Sequence, residues 1–209
     1  MKRIYFVRHG ETEGNLGKYY QSSEVKLTEA GHTGAKAVAE RVAHLPIDLI
    51  VASHFTRAQQ TAKHIQERID KPLKTVDAFH EVVNASSVWG KVIGSEETAA
   101  YAAERKERFT DPEWGPDEAE NFFAVLERLK TVMAFLEEAT EENIVVVSHG
   151  NFLRHLTAYL LTKKNPDPQD HMSVYTVLDR MTNVAITEFT YEDGEWRLFT
   201  WNDHAHFAE

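Results

Sequence analysis

The sequence predicts an α/β fold, a three-layer domain in which a mostly parallel twisted sheet carries helices on both faces. Three observations lead there. Short apolar runs alternate with helix-patterned stretches along most of the 209 residues, which is the mark of a parallel sheet with crossover helices. Two of the runs, Ile4-Tyr5-Phe6-Val7 and Ile144-Val145-Val146-Val147, are followed closely by a His-Gly pair, His9-Gly10 and His149-Gly150. With 42% hydrophobic residues the chain can bury one substantial core, so residues 1–209 are expected to form a single domain.

The elements follow in order. The first strand stops at Arg8 and His9, and Gly10 is expected to let the backbone turn sharply there. Thr28 is placed as a helix N-cap, and the helix behind it carries Ala35, Val38, Ala39, Val42 and Leu45 at helical spacing until Pro46. A strand at 48–52 follows, then a helix from Thr56 to about Ile69 that Lys71-Pro72 ends, then a short strand from Leu73 to Val76. From Asp77 to Gly94 the pattern weakens, and this stretch is read as an active-site loop. Helices are expected over 96–109 and 117–138, separated by the turn formers of 111–116. The second buries Phe122, Val125, Leu129, Val132 and Leu136 at three- and four-residue steps. A strand at 143–148 and a helix at 151–162 come next, then a Pro/Asp-rich linker from Lys164 to Asp170. The tail reads as a β-hairpin, 183–191 and 195–201, joined through Glu192-Asp193-Gly194.

Composition bounds the function. The formal net charge of −10 argues against nucleic-acid binding, which needs a basic face, and against docking to anionic membranes. An anionic substrate must then be attracted locally, by cations inside a pocket. No run approaches transmembrane length and the first strand begins almost at once, so the expected location is the cytoplasm. The absence of cysteine excludes disulfides, thiol catalysis and thiolate metal sites. No histidine set has defensible metal-ligand spacing, so neither a metal nor a cofactor is expected. The pattern carries no signal of oligomeric state.

The chemistry gathers at strand ends. Ligands of open α/β sheets bind beyond the carboxyl ends of the strands. If the strands at 4–8, 48–52 and 143–148 are parallel neighbours, Arg8, His9, His149 and Arg57, from the helix after the strand at 48–52, converge on one pocket. Two guanidinium forks beside two imidazoles suit a phosphoryl group. A lone histidine after a strand is more often a packed residue, but two His-Gly turns together with Arg57 reverse that weighting.

These residues lie in a larger ordered set: Phe6-Val7-Arg8-His9-Gly10-Glu11-Thr12, Asn15, Leu27-Thr28-Glu29-Ala30-Gly31, Ser53-His54-Phe55-Thr56-Arg57-Ala58-Gln59-Gln60-Thr61-Ala62, Val147-Ser148-His149-Gly150-Asn151 and Asn202-Asp203-His204-Ala205-His206-Phe207. In this the chain resembles the histidine phosphatase superfamily, the group that includes the cofactor-dependent phosphoglycerate mutases and many small phosphatases. The resemblance implies a small phosphorylated substrate and a histidine acid-type phosphatase that needs no metal. It implies that His9 becomes a phosphohistidine while Arg8, Arg57 and His149 hold the phosphoryl oxygens. Asn15 and the backbone amides at the start of the helix after His149 add neutral donors, and Gln21 and Ser22 fall where members contact substrate. Glu81, in Phe79-His80-Glu81, stands where the family places its proton donor, with Glu11 and Asp77 as fallback acids. The sequence after Glu81, Val82-Val83-Asn84-Ala85-Ser86-Ser87-Val88-Trp89-Gly90-Lys91, departs from the glycine and acidic-glycine continuation of many members. Ser86, Ser87, Trp89 and Lys91 are candidate entrance residues.

Two alternatives stand beside the phosphatase. A phosphoglycerate-type mutase would need a closing segment and a basic cradle for a second anion, and Lys91 and Lys164 offer only a sparse one. A non-catalytic phospho-ligand binding module would keep the pocket without turnover. The run Glu104-Arg105-Lys106-Glu107-Arg108 is read as a solvated face, and His32, His44, His54, His64, His80, His155 and His171 as surface or packing residues.

Overall fold

A computed structural model describes residues 1–164 and 167–207, the side chain of Phe207 excepted. Six strands form one sheet in the order β3-β2-β4-β1-β5-β6: β1 Lys2–Arg8, β2 Leu49–Ala52, β3 Leu73–Thr75, β4 Asn143–Ser148, β5 Ile186–Glu192 and β6 Glu195–Asp203. The pairs β1·β4, β2·β4 and β2·β3 are parallel, whereas β1·β5 and β5·β6 are antiparallel. The sheet is thus mostly parallel, as the alternation requires, with the tail hairpin added along one edge. Asp193 and Gly194 both have positive φ, 53° and 82°, the geometry of a two-residue hairpin turn whose twist matches its strands.

Period-2 alternation divides the core between the two faces. Ile4, Phe6, Val51, Ile144 and Val146 pack against α5 (Phe122–Glu138) and α6 (Gly150–Leu161). Tyr5, Val7, Ile50, Val145 and Val147 pack against α2 (Glu29–Val42) and α3 (Thr56–Ile69). Strands buried on both sides must be apolar at every position, which is why these segments read as continuous hydrophobic runs.

Several elements differ from the sequence expectation. The helix expected from 117 begins instead at Phe122, because Asp117 and Glu118 adopt left-handed φ and the Asn121 side chain caps the new start by accepting from the Ala124 N–H at 2.9 Å. The linker expected over 164–170 is partly helix: Asp167 accepts from the Gln169 and Asp170 amides and Pro168 takes the first turn of α7 (Pro168–Val177). Asn165 and Pro166 of that linker lie outside the described residues. The other helices are α1 (Glu13–Leu16), which follows Thr12, and α4 (Glu96–Arg108). Thr28 does cap α2, accepting from the Gly31 N–H at 2.9 Å.

Gly10 does not have the left-handed backbone that a sharp turn would need. Its requirement is close approach: a Cβ there would stand 2.6 Å from the Gly31 carbonyl oxygen, and a Cβ on Gly31 would stand 2.1 Å from that of Glu11. The first turn of α2 is pressed backbone to backbone against the segment after His9. Gly31→Ala should therefore cost about 2–3 kcal/mol of stability, the range of overpacking that only a backbone shift relieves. The urea midpoint of the purified variant measures it.

Candidate active site

Register brings the strand ends level. Arg8 lies opposite Ser148 and Ala52 opposite Val147, so the residues that follow, His9, His149 and Ser53, emerge along one edge of the sheet. The His9 N–H donates to the Ser148 carbonyl at 2.9 Å and the Ser53 N–H to that of Val147 at 3.0 Å. Above them opens a cavity of about 920 Å³, lined among others by Arg8, His9, Asn15, Gln21, Arg57 and Glu81.

His9 is 2% exposed. Its Nδ1 lies 2.7 Å from the Gly10 carbonyl oxygen. A carbonyl only accepts, so the proton sits on Nδ1 and the lone pair on Nε2. That lone pair faces the Arg57 Nε–H at 3.3 Å. Burial, then the Arg57 and Arg8 charges, push the His9 pKa well below its ordinary value, against the pull of the Gly10 carbonyl. The ring is therefore neutral at pH 7 with its free nitrogen beside a cation.

Arg57 is equally buried and holds no carboxylate. Burial pulls its pKa down to about 10, with the Glu81 charge opposing and the Arg8 charge adding to the shift. Its Nη1 donates to the Ser22 carbonyl at 2.8 Å, and its guanidinium lies over the Phe55 ring, 5.0 Å from the centroid. Arg8 donates through Nη1 to the Met181 carbonyl, while its buried Nε–H has no acceptor. Gly150 packs closely here: a Cβ would lie 3.2 Å from that Nε, so the Arg8 side chain would have to shift slightly.

His149 is wholly buried behind His9, ring centroids 5.1 Å apart, with Nε2 2.9 Å from Ser53 Oγ and Nδ1 without a partner. Burial, then the Arg57 charge, lower its pKa strongly. Asn15 uses its Oδ1 to accept from the Thr12 N–H and from Asn183 Nδ2, each at 3.1 Å, which leaves its own amide nitrogen for the cavity. Gln21 lines the cavity and accepts from Thr12 Oγ1 at 2.9 Å. Ser22 enters through its backbone carbonyl, and the cavity wall beside it is Ser23.

Of the three acids, Glu81 alone lines the cavity; Glu11 accepts from Thr28 Oγ1 and Asp77 pairs with His54 on the surface. The Glu81 carboxylate is held by backbone amides. Oε1 accepts from Val82 N and Phe152 N, each at 2.8 Å, and Oε2 from Asn151 N at 3.1 Å. The amides at the start of α6, expected to bind phosphate, are thus occupied at Asn151 and Phe152 by the carboxylate, the ligand a helix N-terminus favours. One lone pair of Oε2 stays open for a proton. Arg128 secures this loop from α5: Nη1 donates to the Ala78 and His80 carbonyls at 3.0 and 2.6 Å, and Nη2 pairs with Glu120 at 2.7 Å.

Several site residues escape the sequence. Asn183 Nδ2 donates to the His9 carbonyl at 2.9 Å, aimed by a kink in which Val184 takes φ 53°; its signal is hidden in an expected strand. The run 104–108 is exposed apart from the half-buried Arg105; Arg105 and Lys106 also line the cavity, and Lys18, Arg154 and Arg180 join them. Lys91 and Lys164 do not line it; Lys164 pairs with Glu137. His54, His80 and His155, read as surface or packing residues, are cavity residues too. Of the expected entrance residues Trp89 lines the mouth, and Ser86, Ser87 and Lys91 do not.

The sequence profile of the histidine phosphatase superfamily (branch 1) matches residues 4–204. The glucosyl-3-phosphoglycerate phosphatase of Mycolicibacterium vanbaalenii is 28% identical over all of this chain and 97% of its own length. The adenosylcobalamin/alpha-ribazole phosphatase of Salmonella typhimurium is 31% identical over 77% of this chain and 80% of its own. The solved structure of a mycobacterial glucosyl-3-phosphoglycerate phosphatase with VO3 superimposes with a TM-score of 0.79 at 27% identity, covering 97% of this chain and all of the other.

The depressed pKa values carry a sign. A histidine whose folded pKa lies below about 6.5 stays neutral in the native state while its unfolded counterpart protonates, so stability is complete above about pH 6.5 and falls as pH drops from there. In long-range 1H–15N NMR spectra the His9 and His149 rings should remain neutral from pH 8 down to 5.5. His9 should show the Nδ1–H tautomer throughout.

Proposed function

We propose that this chain, which belongs to branch 1 of the histidine phosphatase superfamily, acts over residues 1–209 as one catalytic domain, a metal-independent histidine acid-type phosphatase. The observation that carries this reading is the neutral His9 whose Nε2 lone pair meets the Arg57 guanidinium at 3.3 Å, flanked by Arg8 and with Glu81 on the same cavity. A nucleophile, two cations and an acid are the parts that phosphoryl transfer needs.

Attack by His9 Nε2 on phosphorus forms the N–P bond and breaks the bond to the leaving oxygen. Glu81 gives that oxygen its proton. Arg8 and Arg57 spread the charge of the transferring group, His149 and the Asn15 amide add donors, Gln21 shapes the wall, and the Ser22 carbonyl holds Arg57. Water then attacks phosphorus as Glu81 takes its proton, the N–P bond breaks, and phosphate leaves with the His9 lone pair restored. Nδ1–H, bonded to the Gly10 carbonyl, holds the ring through both steps.

The soluble, non-membrane reading is supported by the lack, among the described residues, of any helix long and apolar enough to cross a membrane; a cytoplasmic location remains part of the proposal. A mutase reading draws on the cationic cavity wall, which is denser than Lys91 and Lys164 suggested. The relatives named as phosphatases favour hydrolysis.

Phosphate release from simple monoesters should persist in excess chelator, whereas loss restored by added Mg²⁺ or Zn²⁺ would indicate metal-assisted chemistry. It should also outrun interconversion of 2- and 3-phosphoglycerate; primer-dependent interconversion tenfold faster, about 1.4 kcal/mol of preference, would make the protein a mutase. Glu81→Gln should slow alkyl phosphates far more than an activated aryl phosphate, whose leaving oxygen needs little protonation. Equal losses on both would remove Glu81 from the acid role.

A further inference from the structure

The cavity wall carries further arginines beyond Arg8 and Arg57. Arg105 from α4, Arg154 from α6 and Arg180 from the segment after α7 all line it. Burial raises the pKa of the Tyr175 hydroxyl, and the charges of Arg154, Arg105 and Arg180 all oppose that rise, so the three lie within electrostatic reach of that hydroxyl. Among the described residues none of the three pairs with a carboxylate, whereas Arg3, Arg41, Arg68, Arg108 and Arg128 each do.

Arg154 is fixed in place. Nη2 donates to the Tyr175 and Leu178 carbonyls, each at 2.9 Å, Nη1 to the Tyr175 hydroxyl at 3.3 Å, and the guanidinium stacks on that ring at 4.1 Å. The Nε–H groups of Arg105 and Arg154 are buried without an acceptor. In a chain of formal charge −10, so many unpaired guanidiniums in one cavity mark a place for anions.

The position of this cluster relative to the phosphoryl site gives it a role. Gly150 abuts Arg8, and Arg154 lies four residues on, hence on the same face of α6 about one helical turn, roughly 5–6 Å, away. Glu81, bonded to the Asn151 and Phe152 amides at the N-terminus of α6, is close enough to both sides for its charge to act on Arg8 and on Tyr175. A substrate with phosphorus at His9 and its bridging oxygen at Glu81 extends its leaving group toward Arg154.

We propose that the leaving group of the natural substrate carries a second anionic group, a carboxylate or a second phosphate, held by Arg105, Arg154 and Arg180. This deepens the phosphatase reading and rests on it for what binds at Arg8 and Arg57.

The test uses ligands that cannot be turned over. Calorimetry compares propylphosphonate, 3-phosphonopropionate and propane-1,3-bisphosphonate, which differ only in the group at the far end. Wild-type protein should bind at least one of the two doubly anionic ligands tenfold or more tighter than propylphosphonate, and the tighter of them identifies the second anion. Arg105→Met, which keeps an alkyl stem against Phe109, and Arg180→Ala, at an exposed position, should each cut that ratio threefold or more. Ratios within twofold in wild type, or unchanged in both variants, would overturn the proposal. Protein that shows the ratio but releases no phosphate from any monoester would overturn the phosphatase reading and leave this subsite standing.

Discussion

Two guanidinium groups without counter-ions, Arg8 and Arg57, sit in the interior beside His9, and the rest of the site is arranged around that charge. Taking an ion from water costs several kcal/mol even after relaxation, and no carboxylate pairs with either arginine. Partial compensation comes from neutral groups: the Ser22 and Met181 carbonyls, the His9 lone pair and the Phe55 ring face. Such an environment forbids a third positive charge, so His9 and His149 are held neutral. It also leaves the cations with unspent hydrogen-bonding capacity, which an incoming phosphoryl group satisfies in place of water.

Glu81 would neutralise this charge if it were free to swing in. Instead three backbone amides hold its carboxylate, and the Arg128–Glu120 pair fastens the loop that carries it. The anion-binding end of α6 thereby holds the Glu81 carboxylate, and in the proposed mechanism phosphate falls to the arginines. Backbone positions make this arrangement possible. The level ends of β1, β4 and β2 set His9, His149 and Ser53 side by side, and Gly10 and Gly31 admit backbone neighbours at distances that a Cβ would forbid.

What could be read from the chain follows from how local the signal is. Arg8, His9, Arg57 and His149 were legible because each lies at or just after a strand whose burial on both faces leaves an unbroken apolar run. The parallel sheet was legible for the same reason. The Asp193-Gly194 hairpin declared itself through its two positive-φ positions. Less local features were hidden. Asp167-Pro168 starts α7 with a polar face, so its pattern resembles a linker. Arg105 sits in a charged run, and its place over the Phe109 ring depends on packing that the run itself does not announce. Asn183 reaches His9 through a kink at Val184 that no β-branched residue announces, and the capture of Glu81 by α6 amides depends on contacts 70 and 71 residues apart in sequence.

The proposed mechanism commits its nucleophile, His9, to one ring nitrogen, because Nδ1 faces the Gly10 carbonyl and Nε2 faces Arg57. Rapid mixing with a phosphodonor, denaturation in base to preserve the phosphoramidate, and 31P and 1H–15N NMR of the peptide containing His9 test this directly. Phosphorus bonded to Nε2 of His9 is the predicted result. Phosphorus on Nδ1, on another residue, or on no residue while phosphate is still being released would contradict it.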